Sequence, residues 1–230
     1  MRFRSFVAFG VVACVALGAD DKTDTAKARK ALHEVSDFVG EWNGNAESKA
    51  GGRNTLWKEN YSWSWKFKDG DAWIVVKFNG GKHFKSGDLH YLAARKVYRL
   101  TAKDVDDKER VFEGVLKRGR LELSRTDAKT GDVYKITINT AAEGVRFVLN
   151  YEVQTGGKGL FSTIYKSAAN KEGESLAASS KKAECIITGG LGTIPVTYMG
   201  KTYTVCCTGC RDEFNENPKK YVDAYEKKKK

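Results

Sequence analysis

Short segments of alternating apolar and polar residues, separated by glycine-containing turns, fill the chain from residue 38 to residue 168. Turn signals such as Asp69-Gly70, Asn79-Gly80-Gly81 and Ser86-Gly87 recur at the spacing of β-hairpins. The candidate strands are nine segments: 42–47, 56–68, 72–79, 89–100, 109–116, 120–126, 133–140, 145–153 and 161–167. Sequential strands with tight turns and one apolar face predict an antiparallel up-and-down β-barrel or sandwich of about nine strands over 38–168.

Large aromatic side chains share one face of the second segment. They are Tyr61, Trp63, Trp65 and Phe67, and polar residues alternate with them. We interpret this face as core packing, with the lining of a ligand cavity as the alternative.

The four cysteines that follow the β-patterned region lie close together: Cys185, Cys206, Cys207 and Cys210. A β-hairpin with a Gly200-Lys201 turn is predicted before Cys206, from strands at 196–199 and 202–205. The Thr208-Gly209 turn and a short helix from Arg211, broken before Pro218, come next. One thiolate, a hairpin and further thiolates at a turn are how small zinc-ribbon sites gather their ligands.

The order of these features resembles the YHS/TRASH group of metal-binding modules. It runs Cys-x-x-Thr-Gly, Tyr-x-Gly-Lys-x-Tyr, Cys-Cys-x-x-Cys, Phe214 and Pro-x-x-Tyr, over about a sixth of the chain. The resemblance implies a small β-hairpin and helix module with a cysteine metal site. Its implied ligands are Cys185, Cys206 and Cys210, with the doubled Cys207 as a fourth ligand or an exchange partner. Ile186 stands where these modules usually have proline, which we expect to loosen the first turn.

Sulfur ligands favour Cu(I) or Zn(II) over Mg or Ca. Two disulfides are the alternative, because a module this small needs a covalent or metal staple and four cysteines allow three pairings. Thiol–disulfide exchange at Cys207-Thr208-Gly209-Cys210 is a third idea, without the βαβ pattern of thioredoxin-like enzymes around it.

The N-terminus has the pattern of a secretory signal peptide over 1–19. Arg2 and Arg4 precede an apolar run, and cleavage is expected near Gly18 or Ala19. The alternative is a bacterial lipobox with Cys14 as the lipid acceptor. Either interpretation predicts an exported protein, periplasmic or secreted. Residues 20–37 are expected to form a short helix or linker with His33 on its surface.

The segment Phe38-Val39-Gly40-Glu41-Trp42 is similar to the Gly-x-Trp opening of lipocalins and fatty-acid-binding proteins. Those barrels hold apolar ligands, so a carrier of a small apolar molecule with a disulfide-stapled appendix is the alternative function. No residue of this chain identifies such a ligand.

The formal net charge of the chain is +11. Because the predicted export argues against a nucleic-acid partner, we assign this charge to solubility or to association with an anionic envelope or membrane surface. No common enzyme motif occurs, and we interpret His83 and His90 as unrelated side chains, so an enzyme is not favoured.

The predicted organisation is a barrel domain over 38–168, a linker over 169–182, a cysteine module over 183–226 and a lysine tail over 227–230. The favoured function is an exported metal-binding protein that holds Zn or Cu through its thiolates. The β-domain then acts as a scaffold or a partner surface.

Overall fold

The computed structural model describes residues 19–50, 53–142, 144–172 and 183–229. The signal-peptide interpretation of 1–18, the alternative lipid acceptor Cys14 and residues 173–182 of the predicted linker lie outside these ranges. Among the described residues, no helix has both the length and the apolar character needed to cross a membrane.

Ten antiparallel strands close into a barrel, and an eleventh strand, β2, lies outside it and pairs with β1. From β3 to β11 each strand pairs with the next along the chain, and β1 closes the barrel by pairing with both β3 and β11. The bounds are β1 (Gly40–Ala50), β2 (Arg53–Lys58), β3 (Asn60–Lys68), β4 (Asp71–Asn79), β5 (Phe84–Leu92), β6 (Val97–Asp104), β7 (Glu109–Lys117), β8 (Arg120–Thr126), β9 (Val133–Ala141), β10 (Arg146–Gln154) and β11 (Ser162–Lys171). The predicted mainly β, up-and-down antiparallel barrel is confirmed.

Helices and a small second sheet flank the barrel. Helix α1 (Ala19–His33) and a 3₁₀ turn (Ser36–Phe38) precede β1. The C-terminal module consists of β12 (Ile194–Tyr198), β13 (Lys201–Val205), α2 (Thr208–Glu216) and α3 (Pro218–Lys229). The predicted small hairpin-and-helix module after the barrel is therefore present.

The aromatic face of β3 lies in the barrel core. Tyr61, Trp63 and Trp65 are each at most 1% exposed. The Phe147 ring lies 5.1 Å from the Tyr61 ring and 5.8 Å from the Trp63 ring, between centroids. These contacts are those of packed core side chains.

The predicted strand over 89–100 and the predicted turn at Ser86-Gly87 are wrong. Gly87 lies inside β5, where it faces Val76 of β4 and Ala102 of β6. A Cβ at this glycine would approach Leu100 Cδ1 to 2.9 Å, so the glycine permits close packing rather than a turn. The turn between β5 and β6 contains no glycine and uses Lys96 at φ 54°.

The single strand predicted over 56–68 is in fact two strands, β2 and β3. The chain bends at Glu59, whose N–H donates to the Gly44 carbonyl of β1 (3.0 Å). The Asn60 side chain accepts a hydrogen bond from the Gly44 N–H (3.1 Å), so side-chain and backbone groups together hold the bend. The polar pair Glu59-Asn60 has no turn signature, so the sequence carries no signal for this bend.

Gly114 of β7 lies against the neighbouring strand β8. A Cβ built on it would lie 1.8 Å from the backbone oxygen of Glu122. Glycine inside a strand usually costs about 0.5–1 kcal/mol relative to alanine, so Gly→Ala is ordinarily favourable there. We expect Gly114→Ala to do the opposite and lower the free energy of unfolding by more than about 2 kcal/mol, measured by urea unfolding.

The control for this prediction is Gly190→Ala. The nearest atom to its added Cβ would be Ser36 Cβ at 3.5 Å, an ordinary contact, so we expect a change within about 0.5 kcal/mol. An unchanged or increased stability of Gly114→Ala would contradict the close approach of β7 and β8.

Glu59 is a carboxyl buried in the barrel, with 1% of its surface exposed. It accepts hydrogen bonds from Trp57 Nε1 (2.6 Å), Tyr61 Oη (2.9 Å) and Tyr165 Oη (3.4 Å). Burial raises the pKa of Glu59, and the three donors oppose this effect.

The raised pKa of Glu59 predicts a pH dependence of stability. The folded protein binds the proton of Glu59 more tightly than the unfolded chain does. The stabilisation is therefore complete below the unfolded pKa of about 4.3 and is lost as the pH rises through the folded pKa. Because Glu59→Gln does not titrate, we expect the stability of the wild type relative to this variant to fall from pH 4 to pH 8 in urea unfolding. A constant or rising relative stability would refute the raised pKa.

Candidate metal centre

Cys185 is held beside the second strand of the module hairpin. It forms a parallel bridge with Thr204 of β13, and its N–H donates to the Gly190 carbonyl (2.7 Å). The Gly189 N–H closes the turn on the Cys185 carbonyl (2.8 Å). The Ile186 N–H donates to the Thr204 carbonyl (2.9 Å), a bond that the proline usual at this position has no N–H to form. Backbone hydrogen bonds therefore close the turn that Ile186 was expected to loosen.

The other three cysteines follow the hairpin directly. The hairpin turn lies one residue earlier than predicted, at Met199-Gly200, with φ angles of 49° and 76°. Two central residues with positive φ are what a two-residue hairpin loop of the common type requires. Cys206 follows β13, Cys207 is the residue before α2, and Cys210 lies in the first turn of α2. We refer to residues 206–210 as the cysteine turn.

Three of the four sulfur atoms form a compact group. The Sγ atoms of Cys185, Cys206 and Cys210 all lie within 4.8 Å of one another. We call these residues the three-sulfur group. The Sγ atoms of Cys206 and Cys210 are 3.5 Å apart. Sulfurs bound at about 2.3 Å to a tetrahedral zinc are about 3.8 Å apart, so the spacing suits a common metal ion.

Cys207 lies next to this group but outside it. Its Sγ is 3.9 Å from Cys206 Sγ and accepts a hydrogen bond from the Trp65 backbone N–H of β3 (3.4 Å). The predicted sulfur cluster therefore divides into three converging side chains and one that contacts the barrel.

The site is closed to solvent and made of soft donors. The four cysteines are free, and none is more than 5% exposed. Thr188 Oγ1 lies 3.5 Å from Cys206 Sγ and supplies a polar neighbour. Buried thiols without a carboxylate among them suit a metal ion that prefers sulfur ligands and do not fit Mg or Ca.

Hydrogen bonds among the thiols determine where negative charge forms first. Donation by the Cys206 and Cys210 thiols lowers the pKa of Cys185, against the opposing effect of burial. The same hydrogen bonds raise the pKa of Cys206 and of Cys210, because each of these thiols donates its proton to Cys185. The pKa of Cys207 is lowered, chiefly by a hydrogen bond from Cys206. Within the three-sulfur group, the thiolate is therefore favoured at Cys185, and metal binding has to displace the protons of Cys206 and Cys210.

The histidines lie in three different surroundings. His33, expected on the surface, is half-buried, and its ring centroid is 5.6 Å from that of Trp65. Burial lowers the pKa of His33, and the nearby charge of Cys185 opposes this. His83 stacks on Tyr165 (4.6 Å) and His90 on Trp73 (5.4 Å), so these two histidines have separate aromatic partners.

Aromatic packing holds the helices of the module on its hairpin. Phe214 of α2 is 1% exposed, and its ring lies 6.4 Å from that of Tyr203 on β13. Tyr203 also contacts Tyr225 of α3, at 6.1 Å between centroids. The Tyr221 hydroxyl donates to Glu213, which ties α3 to α2.

Sequence patterns do not reveal the role of Trp65. Its contact with Cys207 joins residues 142 positions apart, and local patterns carry no signal for such a pair. Thr188 is visible as part of Cys-x-x-Thr-Gly, but only the fold places it beside Cys206.

Comparison with known proteins identifies the class of the C-terminal segment. Residues 194–225 match the YHS domain family. Together with the cysteine cluster, this match fits a YHS-type metal-binding module at the end of a mainly β protein. The lipocalin-like resemblance of the barrel receives no support from these comparisons.

Two further comparisons concern the whole chain. No curated protein matches it in sequence. Among solved structures, it is similar to the crystal structure of Rv2717c from M. tuberculosis, with 12% identity, a TM-score of 0.40, and coverage of 62% of this chain and 97% of that chain. A likeness at this level carries no argument about function.

The packing of Phe214 predicts a local stability effect. We expect Phe214→Ala to destabilise the module by about 3–5 kcal/mol, because removal of a large buried ring leaves a cavity. Hydrogen exchange followed by mass spectrometry would show faster exchange over 194–225, with the barrel strands β8 and β9 unchanged. Met199→Ala is the control, since this side chain is 86% exposed and should change stability by no more than about 0.5 kcal/mol. Equal effects of the two substitutions would contradict the packing role of Phe214.

Proposed function

We propose that this chain is an exported metal-binding protein that holds Cu(I) or Zn(II) through Cys185, Cys206 and Cys210. The observation that carries the proposal is the convergence of three buried Sγ atoms within 4.8 Å. The YHS domain match over 194–225 supports it independently.

The donor set favours a soft ion. Three thiolates satisfy the ligand types that Cu(I) and Zn(II) prefer, and zinc takes a fourth ligand in its usual tetrahedral geometry. Cys207 stays outside this ligand set, because its Sγ accepts the Trp65 N–H, so an exogenous ligand takes the fourth position on zinc. Export is supported by the charged and apolar pattern over 1–19.

The barrel acts as a scaffold in this proposal. Among the residues that the structure describes, aromatic side chains that face the barrel interior pack on one another. The ring centroids of Trp42 and Phe147, for example, are 5.3 Å apart. No observation favours the alternative of an apolar-ligand carrier, so it is not developed as a second function.

Metal binding is tested on the purified chain, kept anaerobic and loaded with Zn(II) or with Cu(I). We expect about one ion per chain to remain after desalting, by elemental analysis, as one three-sulfur group predicts. We expect a loss of metal affinity of more than about 100-fold, in competition with a chelator, from each of the variants Cys185→Ser, Cys206→Ser and Cys210→Ser. The loss should be this large because substitution of residues that only hydrogen-bond to metal ligands already costs about 10–100-fold in metal affinity.

Met199→Leu is the matched control for this experiment. It removes an exposed sulfur atom of the same module and leaves the cysteines unchanged. Surface substitutions usually change the free energy by less than about 0.5 kcal/mol, so the metal affinity should stay within about twofold. Retention of full affinity in all three cysteine variants, or no bound ion in the wild type, would refute the proposed function.

A further inference from the structure

Strand β3 of the barrel has an edge that its neighbouring strand covers only in part. On one side, β3 pairs with β4 along its whole length, from Asn60 to Lys68. On the other side, β1 pairs with three residues of β3, from Tyr61 to Trp63. Beyond Trp63, β1 therefore provides no partner for this edge. An uncovered strand edge presents N–H and C=O groups that need partners.

The cysteine turn lies on this edge at Trp65. The Trp65 N–H donates to Cys207 Sγ (3.4 Å). A Cβ added to Gly209 would lie 1.8 Å from the Trp65 carbonyl oxygen, so the turn touches that group as well. The N–H and C=O of one residue in an antiparallel strand point to the same edge, and residues 207–209 cover both.

The contact with the barrel and two of the three candidate ligands lie within five consecutive residues, 206–210. Cys207 lies between Cys206 and Cys210, whose sulfurs belong to the three-sulfur group. An ion that fixes Cys206 and Cys210 also fixes the backbone between them, and with it the position of Cys207 Sγ. The position of the metal ligands therefore determines how the module docks on β3.

We infer that Cys207 is a positioning residue that couples metal occupancy of the three-sulfur group to docking of the module on the β3 edge. This inference rests on the proposed function. With an ion bound, the cysteine turn holds the Trp65 N–H. Without one, the turn is less constrained, and the Trp65 amide exchanges more readily with solvent.

The test is amide hydrogen exchange of the full chain with and without Zn(II). We expect zinc to slow exchange of the Trp65 amide on the order of tenfold or more, and to leave amides of β8 and β9 unchanged. Cys207→Ala, which removes the acceptor, should keep about one zinc per chain and lose the zinc-dependent protection of Trp65.

Two further variants make the result decisive. Gly209→Ala keeps all four sulfurs but drives a methyl group into the Trp65 carbonyl, so it should also lose the protection. If Cys207→Ala fails to fold, Gly209→Ala provides the test in its place. Arg211→Ala is the matched control at an exposed position of α2 and should behave as wild type.

Coupling is reciprocal, which gives a second readout. The factor by which zinc strengthens docking equals the factor by which loss of docking weakens zinc affinity. Gly209→Ala should therefore weaken zinc binding by the same factor that separates Trp65 exchange in the loaded and zinc-free wild type.

The outcomes separate this inference from the proposed function. Loss of zinc from Cys207→Ala, to the extent seen in Cys206→Ser, would make Cys207 a ligand and overturn the inference while the metal site stands. Equal Trp65 exchange with and without bound zinc would also overturn it. A wild type that binds no ion would refute the proposed function itself.

Discussion

Backbone pairing between β1 and β11 is the constraint on which the rest of the structure depends. It runs from Trp42 opposite Lys171 to Glu47 opposite Lys166 and closes the barrel. Closure removes most exposed strand edges, which would otherwise pair with other chains. Because β1 pairs with only three residues of β3, it leaves one stretch of that edge uncovered, and the cysteine turn covers it.

The C-terminal module is too small to depend on its own core. A segment of this size buries little apolar surface and needs a staple or a neighbour. It has Phe214 packed near Tyr203 as its aromatic centre, and it gains a neighbour in β3. A metal held by three thiolates would supply the staple, since the free energy of metal binding becomes folding free energy in such modules.

Local patterns predict the elements whose cause is local. Alternation and glycine turns indicate the up-and-down barrel, and cysteine spacing indicates the module. The failures have physical reasons: Gly87 serves close strand packing inside β5, and the turn at Lys96 lacks glycine altogether. The hydrogen bond from Trp65 to Cys207 spans 142 positions, and only the closed barrel determines which edge the module meets.

Charge around the three-sulfur group comes from distant parts of the chain. In the proposed function, three thiolates outweigh the charge of one Zn(II) or Cu(I) ion, so the loaded site would keep a negative charge. His33 of α1 lies within electrostatic range of Cys185, and Arg29 and Lys228 lie within electrostatic range of His33. The N-terminus of α2 adds the positive end of its helix dipole beside the cysteine turn.

Helix α1, which carries two of these groups, is itself held by the barrel. The Tyr98 hydroxyl of β6 donates to the Ala31 carbonyl of α1 (2.7 Å). The Arg29 guanidinium donates to the Gly70 carbonyl, in the turn between β3 and β4 (3.1 Å). The barrel thus supplies the module with a strand edge and also holds the helix that carries Arg29 and His33. Metal affinity, in the proposed function, is for this reason a property of the whole fold rather than of the cysteine turn alone.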